Sequence, residues 1–113
     1  GLGDVYKRQQ QGDVCSLPYK EGAFDAVTAF ETVYFWSPVD KALSEVARVL
    51  RKGGCFLISL EASDPEQGKM WTERIDGMVV YTADELKQLL FEAGFSSVKT
   101  IHKKEELHII AHK

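Results

Sequence analysis

Three histidines and two cysteines are the residues that could hold a metal or attack a substrate, and their spacing supports neither. His108 and His112 sit four apart in a stretch that reads as a strand, which separates their Cα atoms by roughly 13 Å, too far to share an ion. His102 and His108 could face each other across a hairpin, but no third ligand accompanies them. Cys15 has no histidine near it in sequence to act as a base. Cys15 and Cys55 are also not spaced like a zinc site, so both read as structural thiols and no metal is expected. Two other segments could do chemistry. One is Gly12-Asp13-Val14-Cys15. The other is Glu31-Thr32-Val33-Tyr34-Phe35-Trp36, where three crowded aromatics could wall an apolar pocket or pack beneath a following helix.

Both segments take their meaning from the elements around them. Residues 24–30, FDAVTAF, form a nearly continuous apolar run bounded by Gly22 and Glu31, which predicts a strand buried on both faces, as in parallel sheets. Ser37-Pro38 offers a capping hydroxyl followed by proline at the first helical position. Val39, Leu43, Val46 and Leu50, joined by Ala42 and Ala47, make a helical stripe. Arg48, Arg51 and Lys52 suit the helix's negative end, and Gly53-Gly54 is expected to stop it. Residues 55–60, CFLISL, predict the second buried strand, with Asp64-Pro65 in the loop beyond. Residues 66–76 are ambiguous: a short helix carrying Met70 and Trp71 is weakened by Gly68.

Thr82 and Glu85 have the spacing of a capping box, and Leu86, Leu89, Leu90 and Ala93 continue a helix that Gly94 closes. Residues 95–102 and 107–112 then predict two strands joined by a short polar link, an antiparallel hairpin. Strands separated by helices argue for a parallel α/β sheet with one reversed strand at its end. Ligands bind such sheets at the carboxyl ends of the strands, which is where both segments fall.

The runs G-D-V-x-x-L-P-Y at 12–19, F-D-A-V at 24–27, E-V-x-R-V-L-R-K-G-G at 45–54 and Y-T-A-D-E-L-K-Q-L-L-F-E-A-G-F at 81–95 resemble, in this order, a class I S-adenosylmethionine-dependent methyltransferase. The likeness is to its C-terminal half, in the small-molecule group that includes ubiquinone and menaquinone biosynthesis enzymes. The resemblance implies a partial Rossmann-like sheet made of the family's strands four to seven, in the order 4-5-7-6 with the seventh antiparallel, and flanking helices. It implies S-adenosylmethionine as cofactor. The Asp13 carboxylate would accept from the adenine amino group, the Val14 backbone N–H would reach a ring nitrogen, and Cys15 would flank them. Phe30 and Glu31 would line the cofactor and its methyl at the exit of strand four, and Tyr34, Phe35 and Trp36 would face the acceptor. Trp71, Met70, Met78 and Tyr81 fall in the stretch the family varies for acceptor choice.

Each assignment has a plainer counterpart in the residues themselves: a turn or cap for Asp13, a core aromatic for Phe30, a solvated loop charge for Glu31. Asp25, at the strand's entrance, reads as structural. The family's glycine-rich loop and the acidic end of its second strand have no counterparts in this sequence, so the methionine- and ribose-binding residues cannot be placed. No catalytic acid or base is expected.

Residues 1–9, GLGDVYKRQ, lack any period and resemble translated adapter read-through, a non-native scar, with 10–113 as the C-terminal half of a methyltransferase domain. Such a chain alone is expected neither to methylate nor to bind the cofactor tightly. At 113 residues, 44% hydrophobic and 27% charged, the composition excludes a disordered or disulfide-stapled chain. A net charge of −3 disfavours nucleic acid and anionic membrane, no apolar run approaches a bilayer span, and two cysteines suit a reducing cytoplasm. The expected partner is a small-molecule methyl acceptor. Two other functions compete: a non-catalytic binding or regulatory domain on the same fold, and, more weakly, a dinucleotide oxidoreductase, whose fingerprint is absent.

Overall fold

The computed structural model describes residues 14–113. Asp13 and residues 1–9 lie outside the described residues. The elements run β1 (Phe24–Phe30), a single 3-10 turn (Val33–Phe35), α1 (Val39–Val49), β2 (Leu50–Leu60), α2 (Lys69–Arg74), α3 (Ala83–Glu92), β3 (Ser97–Lys103) and β4 (Glu106–His112). They build one four-stranded sheet in the order β1-β2-β4-β3, with β1 and β2 parallel and β4 antiparallel to both its neighbours. That is the order and the reversed strand expected from the sequence.

Period-two alternation decides which face is covered. Val27 and Ala29 of β1, Phe56, Ile58 and Leu60 of β2, and Leu107, Ile109 and Ala111 of β4 are buried in one core with α1 and α3. The opposite face is only half-buried at Thr28, Leu57 and Ile110, which stand side by side across the strands. The expectation that β1 is buried on both faces therefore fails. Among the described residues β1 pairs with β2 alone, and its last residue, Phe30, is 63% exposed. Phe30 is not a core aromatic.

Three local expectations also change. Pro38 keeps an extended backbone, follows a cis peptide and occupies the N-cap itself, so no side chain caps α1; the Pro38 carbonyl instead takes the Ala42 N–H. The helix gives way to β2 at Leu50, ahead of the two glycines, because the 51–54 stretch bulges opposite Asp25 before regular pairing resumes at Ala26–Cys55. Arg51 crosses that bulge to Asp25 at 2.6 Å. Gly54 is required there: a Cβ would lie 2.9 Å from the carbonyl oxygens of both Arg51 and Asp25. Finally, the hairpin register sets His108 opposite Ile101, so His102 and His108 do not face each other. His108 Nδ1 instead lies 3.0 Å from Ser59 Oγ.

The expected Thr82–Glu85 capping box forms, with both reciprocal bonds present. Among the described residues no helix is long and apolar enough to cross a membrane.

Candidate functional site

β1 and β2 run parallel and end together at Phe30 and Leu60, and the turn of the β3–β4 hairpin lies at the same edge because Leu60 pairs with Leu107. Ligands of open α/β sheets bind in a crevice outside the carboxyl ends of the strands. Here that crevice is a cleft of about 330 Å³. The β1 exit supplies Glu31 and Tyr34 to it, the β2 exit supplies Glu61 through Asp64, α2 and its approach supply Gly68 and Trp71, and the hairpin supplies Glu105.

The two strand exits are tied to each other. Glu31 donates its N–H to the Ser59 carbonyl at 2.9 Å and accepts the Glu61 N–H on its carboxylate at 2.6 Å. The Tyr34 hydroxyl accepts the Ala62 N–H at 2.8 Å and hydrogen-bonds the Glu31 carboxylate. Glu31 holds φ at +56°, the left-handed region that a branched-off side chain seldom occupies. The bonds from its N–H and to its carboxylate hold it there. Burial raises the Glu31 carboxyl above its ordinary range, against the lowering effect of the Glu61 N–H and the Tyr34 hydroxyl. Burial likewise pushes the Tyr34 phenol up to about 12, so at neutral pH it is a fixed donor to Glu31.

The three crowded aromatics separate. Tyr34 is buried with its hydroxyl turned to the cleft, as above. Trp36 is buried in the core, stacked on Phe56 with centroids 6.1 Å apart and planes 4° from parallel. Phe35 is 46% exposed and, like Trp36, does not line the cleft. The parity of the turn explains this: a 3-10 turn sends neighbouring side chains in different directions, so one loop cannot aim all three at one point. Trp71 and Met78 line the cleft, whereas Met70 is exposed elsewhere. Glu61, Asp64 and Glu105 were not singled out from sequence. The β2 exit read only as loop, although it is a strand's carboxyl end like the one before it.

The segment that begins at Val14 is fastened beside this edge. Cys15 Sγ lies 3.8 and 3.6 Å from the carbonyls of Ser37 and Pro38, in the chain that has just left β1. Further on, Arg48 donates to the Tyr19 and Leu17 carbonyls at 2.8 and 2.9 Å, and Glu45 accepts the Leu17 N–H at 2.8 Å. Arg48 thus serves the segment after Asp13 rather than the helix dipole alone. Val14 and Cys15 are half-buried, and the exposed ring of Phe30 stands at the exit of β1. No three metal-ligating side chains come together among the described residues.

A family model described as a methyltransferase domain matches residues 3–58. An O-methyltransferase of Pyrenophora dematioidea is 31% identical over 106 residues, covering 89% of this chain and 40% of that protein. A malonyl-[acyl-carrier protein] O-methyltransferase of Geobacter sulfurreducens is 29% identical over 109 residues, covering 82% and 39%. The chain spans about two fifths of the length of both relatives. Among solved structures, a SAM-dependent methyltransferase of Thermotoga maritima superposes with a TM-score of 0.75 at 23% identity, covering 90% of this chain and 62% of that one.

Proposed function

Because the chain belongs to the class I S-adenosylmethionine-dependent methyltransferases, we propose that it supplies the adenine side of the cofactor site and the acceptor cleft for methyl transfer to a small molecule. The observation that carries this is the convergence, on one edge of the sheet, of the Val14–Cys15 segment, the exposed exit of β1 and the cleft beyond it. In this reading Asp13 and the Val14 N–H take the polar edge of adenine, Cys15 flanks it, Phe30 meets a ring face, and Glu31 fixes the loop at the methyl end. Tyr34 forms the wall between that loop and the acceptor. Phe35 stands outside the cleft on the exposed side of the loop, and Trp36 supports the loop from the core.

When bound, the cofactor supplies a methyl group already activated on a sulfonium. The residues at the two strand exits would hold that methyl group and the acceptor's lone pair in line for a direct displacement. Such a displacement needs alignment more than acid or base, and a rigid pair of strand exits provides alignment. The Glu31–Tyr34–Ala62 bonds fix the two exits relative to each other, so they contribute position rather than a proton.

The experiment is a titration of the 113-residue chain with S-adenosylhomocysteine, followed by amide NMR. Shifts concentrated at Val14, Cys15, Phe30 and Glu31, and lost in Asp13→Ala, support the reading. Shifts that ignore the substitution remove it. Methyl transfer itself is read by labelled-methyl incorporation into small acceptors by a protein in which a glycine-rich loop precedes this sequence. Cofactor binding without incorporation would favour a non-catalytic binding domain instead.

A further inference from the structure

The cleft has an uneven chemistry that goes beyond methyl transfer as such. Its uncharged lining includes the Trp71 indole, the polarizable Met78 thioether and Tyr34, whose hydroxyl meets the cleft. Its charged lining is Glu31, Glu61, Asp64 and Glu105, and among the described residues no lysine, arginine or histidine lines it. Lys103 and Lys104 belong to the adjoining shallow recess, where Glu61, Glu105 and Glu106 accompany them, so the acidic sign persists there too. Asp64 keeps one oxygen on the Glu66 N–H at 2.9 Å, and Glu31 is engaged by Glu61 and Tyr34. Glu61 and Glu105 are exposed.

From this combination of an indole and thioether wall and a carboxylate rim, we propose that the acceptor is an amine carried on a flat apolar body, bound as its ammonium ion. The inference rests on the methyl-transfer reading for what happens next, but the selectivity belongs to the cleft itself. A cation is attracted to the indole and to the carboxylates at once. A carboxylate acceptor would meet four groups of its own sign, so the cleft excludes the acidic class of acceptor. At about 330 Å³ it admits a single-ring molecule with a short side chain. For transfer, the ammonium first gives its proton to water at the open mouth. The freed nitrogen lone pair then takes the methyl, and the positive charge moves from sulfur to nitrogen.

The test compares 2-phenylethylamine with 3-phenylpropionate, which share a ring and chain and differ in charge. Each is titrated into the 113-residue chain without cofactor, followed at the amides of Ala62, Ser63 and Gly68. The amine should bind at least about tenfold more tightly than the acid. The double variant Glu61→Gln, Glu105→Gln, both exposed positions that leave the fold intact, should cut amine affinity several-fold and narrow the gap. Raising the salt concentration should weaken the amine in the same sense. Equal affinity for the two probes, tighter binding of the acid, or an amine affinity indifferent to both the double variant and salt would overturn the inference. Amine selectivity here, with no methyl incorporation by a protein in which a glycine-rich loop precedes this sequence, would sink the enzyme reading and leave this one standing.

Discussion

Glu45 and Arg48 meet at two points, Oε1 to Nη2 at 2.7 Å and Oε2 to Nε at 2.8 Å, and both also hold the main chain of Leu17. A pair one helical turn apart on α1 therefore fastens the segment that follows Asp13. Arg48→Lys keeps the charge but cannot hold two carbonyls and both carboxylate oxygens together. Its thermal midpoint should fall by several degrees, and amide exchange should quicken at residues 14–20 ahead of the rest. Unchanged exchange in that stretch would contradict the role.

Two carboxylates should pull the acid stability curve in opposite directions. The hydrogen bond from Arg48 holds Glu45 below its ordinary value, so its contribution is present above the unfolded pKa and fades as pH falls through the folded one. Burial raises Glu31, so its contribution is present below the unfolded pKa and is lost as pH rises through the folded value. Denaturation midpoints measured across acid pH should therefore decline less on acidification in Glu45→Gln and more steeply in Glu31→Gln.

The Tyr34 phenol gives an alkaline counterpart. Its folded value of about 12 stands above the ordinary 10.0, so stability from the protonated phenol is intact below 10 and drains away as pH rises through 12. Tyr34→Phe should remove that decline. At neutral pH it should cost about 1–2 kcal/mol, because the Ala62 N–H loses its acceptor. Chemical denaturation at pH 7 and in the alkaline range measures both effects.

At Gly54 the constraint is steric. A Cβ 2.9 Å from two backbone oxygens has no flexible neighbour to displace, so Gly54→Ala should cost about 2–3 kcal/mol. Gly77, whose added Cβ would meet nothing within 4 Å, is the comparison site: Gly77→Ala carries only its left-handed backbone strain and should cost less.

The two tryptophans should report their different places. Trp36, 8% exposed, should resist acrylamide and emit to the blue, whereas Trp71, 50% exposed, should be quenched readily. A cleft ligand should perturb Trp71 first. Trp36→Ala should destabilise by about 3–5 kcal/mol, because it empties a stack over Phe56.

What could be read from the sequence follows the physics of each signal. The α1 stripe and the capping box at Thr82 are local signals, so they predicted their elements within a few residues. The strand order came from the ordered motifs rather than from any period. Burial was harder. Phe30 and Trp36 are both aromatic residues next to one strand end, yet one is exposed and the other sealed, because sheet parity and a single tight turn decide where each points. The start of β2 was misread because a bulge is set by the Arg51–Asp25 crossing and the close approach at Gly54, which are long-range. Half of the cleft was missed for a similar reason: Glu61 and Glu105 are 44 positions apart in number and meet only through the Leu60–Leu107 pairing.

The most direct measurement is a set of intermolecular NOEs between S-adenosylhomocysteine and the 113-residue chain at high ligand concentration. The account predicts contacts from the adenine H2 and H8 protons to the Val14 methyls and the Phe30 ring. Adenine contacts that fall instead on the open sheet face, at Leu57 and Ile110, would contradict it.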